Sequence, residues 1–193
     1  GYYELPDWFE QMSPHSLGAL FIDGFGPRRE PRATLIDTLD WAVQLARTPR
    51  RANLPNHVCG LAAYDAWAQA LVLDADYPAG DAAVLETRAM VHCDQAVMVM
   101  ERSHAAAWLR RMVEHAPIAA TALRAAAELY ERIGSLDVWR WGAQHYGTPE
   151  VQQGLAEAAT RREIAALVRT AGRLEAEAVG HLEDALRTLR AEE

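Results

Sequence analysis

Leu167-Val-Arg-Thr-Ala171-Gly-Arg-Leu174-Glu175-Ala-Glu177-Ala178-Val-Gly-His181-Leu182-Glu-Asp-Ala185-Leu-Arg-Thr-Leu189 carries apolar side chains at 167, 171, 174, 178, 182, 185 and 189. The steps are all three or four, so these residues fall on one stripe of an α-helix with arginines and glutamates between them. Such a stripe needs helical partners along its whole length. Thr148-Pro149-Glu150 marks the start, with proline at the first helical position.

Upstream, the same period recurs. Leu35, Leu39, Ala42, Val43 and Ala46 share a face of a helix that Pro49 ends. A second helix is predicted from about Asn56 to Leu73, with Leu61, Tyr64, Ala68 and Leu71 aligned and Trp67 beside them. Pro78-Ala-Gly80 breaks the chain, and Asp81 can cap a long helical stretch running to His115. Another stretch covers Ile118 to Ile133. Ser135 to Gly147, with Trp139, Trp141 and Tyr146, reads as a connection anchored by aromatics. Residues 1–32 differ: Leu17 to Ile22 is β-capable between turn formers, and Gly1 to Leu5 is a weaker second strand. The expected fold is mainly α: an antiparallel bundle of about five helices over 33–193, with one or two short β-strands in the N-terminal segment.

Composition narrows the function classes. The net charge is −8, which argues against a nucleic-acid footprint. Arg28, Arg29 and Arg32, then Arg47, Arg50 and Arg51, are short runs that read as solvated helix ends. All 19 basic residues are arginine, so a Walker-type phosphate loop and Schiff-base catalysis lack their lysine. Cys59 and Cys93 make no disulfide framework, and a reduced cytoplasmic setting is expected. The longest apolar run, Ala96 to Met100, is far below the roughly 18 to 20 residues that span a bilayer. No membrane partner is expected.

The candidate site residues lie on the helices. Placed at 100° each, Val91, Asp94, Met98, Glu101, Ala105, Trp108 and Met112 form one stripe, which buries two carboxylates and predicts partners for them. An interhelical arginine, a ligand cation or a metal would serve. Glu101-Arg-Ser-His104 has the Glu-x-x-His spacing of di-iron bundles, and Glu175, Glu177 and His181 stand near the final stripe. A full di-metal set wants a second Glu-x-x-His, and Glu177 to His181 spans four residues, so neither a metal nor any other cofactor is assigned. Cys59 with His57, and Cys93 after His92, lack an orienting third group and read as small buried hydrophobes. Met90, Met98, Met100 and Met112 read as core filling. The candidate ligand-binding set is Asp94, Glu101, His104, Tyr64, Trp67 and Glu175, and no residue is assigned as catalytic.

One family shows a similar order of segments. Ala19-Leu-Phe-Ile-Asp23 precedes the helix Thr34 to Arg47. Cys59-Gly-Leu-Ala-Ala-Tyr64-Asp-Ala-Trp67-Ala follows, then Arg124-Ala-Ala-Ala-Glu128-Leu-Tyr130 and the Leu174 to Leu186 segment. Together these resemble the C-terminal helical region of the butirosin biosynthesis protein H-like family of papain-like-fold bacterial proteins. The resemblance implies a helical accessory domain behind a papain-like domain that carries the cysteine chemistry, with residues 1–32 as the last strands of that domain. The named relative is an aminoacyl transferase, and the nucleophile-bearing portion has no counterpart here. The expected function is therefore a non-catalytic accessory or small-molecule-binding domain, with a papain-like domain as its partner. A stand-alone metal-dependent bundle enzyme at Glu101, His104 and Glu175 is the second reading, and a homodimeric scaffold on the final helix the third.

Overall fold

Caps written into the sequence set several helix starts. The Glu30 carboxylate accepts the Ala33 N–H at 2.8 Å and Pro31 opens α1, Pro31–Arg47. After α2, Ala62–Leu71, the Asp81 carboxylate accepts the Val84 N–H at 3.1 Å and heads α3, Ala82–Met100. Then follow α4, Arg102–Met112, and α5, Ala120–Gly134. Pro149 opens α6, Pro149–Ala156, and the chain closes with α7, Ala158–Arg190. The computed structural model describes residues 26–27, 29–53, 56–136, 138 and 148–192; among them are seven α-helices and no β-strand. The protein is a mainly α helical bundle. The strands expected at 1–5 and 17–22, and the aromatics at 139, 141 and 146, lie outside the described residues.

The bundle is organised around α7. At 33 residues it is about 50 Å long, and it packs against α1, α2, α5 and α6. Ala171, Leu174, Ala178, Leu182, Ala185 and Leu189 are buried as expected, and Leu167 is half-buried. Ile164, Val168, Val179 and Leu186 are buried too, so the inward face is wider than a two-helix seam. Partners on several sides require that width.

The helices break where glutamates stand, which is why seven are found instead of about five. The expected second helix starts at Ala62, not Asn56, because Gly60 turns the chain at φ +58°. The long third stretch divides at Glu101, whose ψ of −7° departs from the helical value. The final stretch divides at Glu157, which is extended at φ −84° and ψ 116°. At that second break the last α6 carbonyls do not continue the helical ladder. The Arg161 guanidinium takes them instead: Nη1 donates to the Leu155 and Ala156 carbonyls at 2.8 and 2.9 Å. Its Nε donates to the Leu71 carbonyl at the end of α2 at 2.9 Å, and Nη2 to Asp74. The guanidinium also lies 4.6 Å from the Tyr77 ring centroid. One side chain, 2% exposed, thus closes the C-termini of two helices.

Burial on α3 differs from the expected stripe. Its inward face is Leu85, Ala89, His92, Cys93, Ala96 and Val99, while Val91, Met90 and Met98 are exposed. Small residues let α3 approach α6 closely, and the bulkier apolar side chains are left outside. The core-filling role expected of Met90 and Met98 therefore fails. Met112 does fill core.

His92 is buried, and neither ring nitrogen has a hydrogen-bond partner among the described residues. Its ring lies 5.5 Å from that of Trp67. Burial pushes its pKa down from 6.5 to about 4. The unfolded chain therefore takes up a proton at a higher pH than the folded one. Stability from this group is complete above about pH 6.5 and is lost as pH falls toward 4. We expect a loss of about 2 kcal/mol between about pH 7 and about pH 5. Urea denaturation at both pH values should show the loss in the native chain and little of it in His92→Phe; equal slopes would refute the assignment.

Candidate binding cavity

A cavity of about 530 Å³ opens between α1, α2 and the α3–α4 junction, with single contributions from α5 and α7. A short loop fixes its outer wall. The Leu61 N–H donates to the Ala46 carbonyl at 2.8 Å and the Cys59 N–H to that of Pro49 at 2.9 Å, folding the loop back on the end of α1. A Cβ on Gly60 would stand 2.3 Å from the Ala46 oxygen, so only glycine makes this turn. Arg51, Cys59 and Leu61 are thereby brought to the cavity wall.

The inner wall is a polar network centred on Glu175. Its Oε2 accepts from Arg102 Nε at 2.8 Å and from the Tyr64 hydroxyl at 3.0 Å, and Tyr130 also lines the cavity. Arg102 Nη1 donates to the Met98 carbonyl at 3.1 Å. Burial and the adjoining Glu175 charge push both tyrosine pKa values up, so the phenols stay protonated and that of Tyr64 donates to Glu175. Burial works against the charge on Arg102, but the Glu175 carboxylate more than offsets it and its pKa is raised. The carboxylate side chain is 8% exposed and Arg102 30%, so the arginine is the member that meets the cavity.

Gly172 gives Tyr64 its place. A Cβ at 172 would lie 2.8 Å from Tyr64 Cβ, whereas one at Gly180 would meet nothing within 4 Å. The same substitution on one helix should then have opposite signs. Gly180→Ala gains helix propensity and should stabilise by about 0.5–1 kcal/mol. Gly172→Ala gains the same but displaces the Tyr64 ring, for a net loss of about 1–2 kcal/mol. Thermal melts of the two variants check this, and two shifts of the same sign would contradict the packing.

The six sequence candidates separate cleanly. Tyr64, Trp67 and Glu175 line the cavity together. Asp94, Glu101 and His104 are exposed and do not join them. The expectation that Asp94 and Glu101 face inward is thus overturned, because the stripe assumed one continuous helix with its bulkiest apolar residues inside. Instead the small residues of α3 turn inward, and the break at Glu101 resets the phase before Ala105, Trp108 and Met112. No group of three or more potential metal ligands is found among the described residues. The Cys59 thiol contacts the His57 backbone carbonyl, at 3.8 Å, and not the imidazole. Arg47 and Arg32, expected as solvated ends, pair with Glu183 and Glu192.

Arg102 and Arg161 were missed, and Arg161 had a readable signal. Positions 161, 164, 168, 171, 175, 178, 182, 185 and 189 continue one series of three- and four-residue steps. Arg161 and Glu175 sit within it, two charges in register with an apolar stripe. No helix among the described residues is long and apolar enough to cross a membrane. No protein-family model matches this chain, and no curated protein or solved structure matches it.

Proposed function

We propose that this bundle is a small-molecule-binding module whose site is the cavity beside Arg102 and Glu175. The observation that carries the reading is the cavity itself. At about 530 Å³ it falls in the range of ligand sites, with aromatic and apolar walls and a few placed polar groups. The interactions around Glu175 favour binding over reaction. Its carboxylate already accepts from two donors and is nearly sealed from water, so it is poorly placed to act as a base. Cys59 has no imidazole partner among the described residues. The metal-dependent alternative loses support because Glu101 and His104 stand exposed, away from Glu175. The placement of this module beside a papain-like domain rests on the sequence resemblance alone.

A neutral, polarity-sensitive dye tests the reading. Nile red should bind the native protein with one-to-one stoichiometry and a blue-shifted emission. Ala63→Trp puts an indole into the cavity and should abolish that binding without unfolding the bundle. Absence of saturable binding, or equal binding by the Ala63→Trp variant, refutes the cavity as a ligand site.

A further inference from the structure

We infer that the cavity takes a small organic anion, a carboxylate carried on an apolar or aromatic body. This rests on reading the cavity as a ligand site and adds the chemical class of the occupant. Among the described residues the lining holds three charged side chains: Arg51, Arg102 and Glu175. Glu175 is committed to Arg102 and Tyr64, so a ligand cation would compete with two existing donors for a buried carboxylate. The two arginines differ from it. Arg51 makes no ion pair among the described residues and is only partly buried. Arg102 uses Nε and Nη1, and the described residues supply no partner for Nη2. Pairing within the cavity leaves one positive charge in excess, on donors whose fork geometry suits a carboxylate. Trp67, Leu45, Leu61 and Val99 supply the apolar remainder of the wall. Gln95 adds a neutral polar group.

Three ligands of one shape separate the possibilities: naphthoate, naphthamide and naphthylmethylammonium, titrated by calorimetry into the full chain. Naphthoate should bind about tenfold or more tighter than naphthamide, with the ammonium compound weakest. Arg51→Gln should remove most of that preference, weakening naphthoate far more than naphthamide, and added salt should shrink it. Arg51 is partly exposed and has no ion-pair partner among the described residues, so this variant keeps the fold and the buried network. Equal affinity for acid and amide, or tightest binding by the ammonium compound, overturns the anion assignment while the cavity stands, provided Ala63→Trp blocks the binding. If none of the three binds, or if Ala63→Trp binds all of them like the native chain, the cavity and the anion assignment fall together.

Discussion

Arg161→Met should be the most damaging single substitution in the bundle, at about 3–5 kcal/mol. The guanidinium is 2% exposed and donates to three backbone carbonyls, at Leu71, Leu155 and Ala156. Methionine replaces its bulk but none of its donors, so buried carbonyls at two helix ends lose their partners. The ion pair with Asp74 adds little, because that carboxylate is 78% exposed. Arg161→Lys should fall between, since one ammonium cannot reach all three acceptors in the same geometry. Chemical denaturation gives the magnitude. Hydrogen exchange gives the location: amides at the end of α2 and around the α6–α7 junction should lose protection first. A loss under about 1 kcal/mol would mean that water reaches these carbonyls unaided.

Glu175→Leu comes next, at about 3 kcal/mol. The substitution leaves the Arg102 charge and the Tyr64 hydroxyl without their acceptor, in a wall where the carboxylate itself was 8% exposed. The lower part of the range for broken buried pairs applies, because Arg102 is 30% exposed and can draw on solvent through the cavity. The decisive comparison is the double variant Glu175→Leu with Arg102→Met. Once the carboxylate is gone, removing the cation should cost less than about 1 kcal/mol further, so the double lies well below the sum of the two singles. Strict additivity in a double-mutant cycle would show that the pair contributes nothing as a pair.

How much of this the sequence discloses depends on what breaks the helical period. The α7 stripe and the caps at Asp81 and Pro149 are legible because their rules are local, whereas the first helix, read from Thr34, starts at Pro31. The divisions at Glu101 and Glu157 are not, since neither is a glycine or a proline. At Glu157, Arg161 caps the carbonyls before the break and also reaches the distant Leu71 carbonyl on α2. Misplacing the first division rotated the α3 face and put Asp94 and Glu101 inside, when both are exposed. Weighting faces by bulk made the error worse, for Ala89, Cys93 and Ala96 face the core while Met98 does not. Half of the candidate site survives because Tyr64, Trp67 and Glu175 belong to α2 and α7, whose periods are unbroken. Arg102 had no such signal: it begins a helix whose start could not be placed.

The account stands or falls on whether small molecules enter the space in front of Arg102. Alanine and methionine methyl spectra, recorded by NMR during a naphthoate titration, report this directly. Methyls of Ala42, Ala46, Ala63, Ala105 and Met98 line the cavity and should shift together along one saturating curve. Those of Ala165 and Ala185, buried in α7 outside the lining, should hold still. Unchanged cavity methyls at ligand excess, or shifts confined to residues outside the lining, would contradict the account.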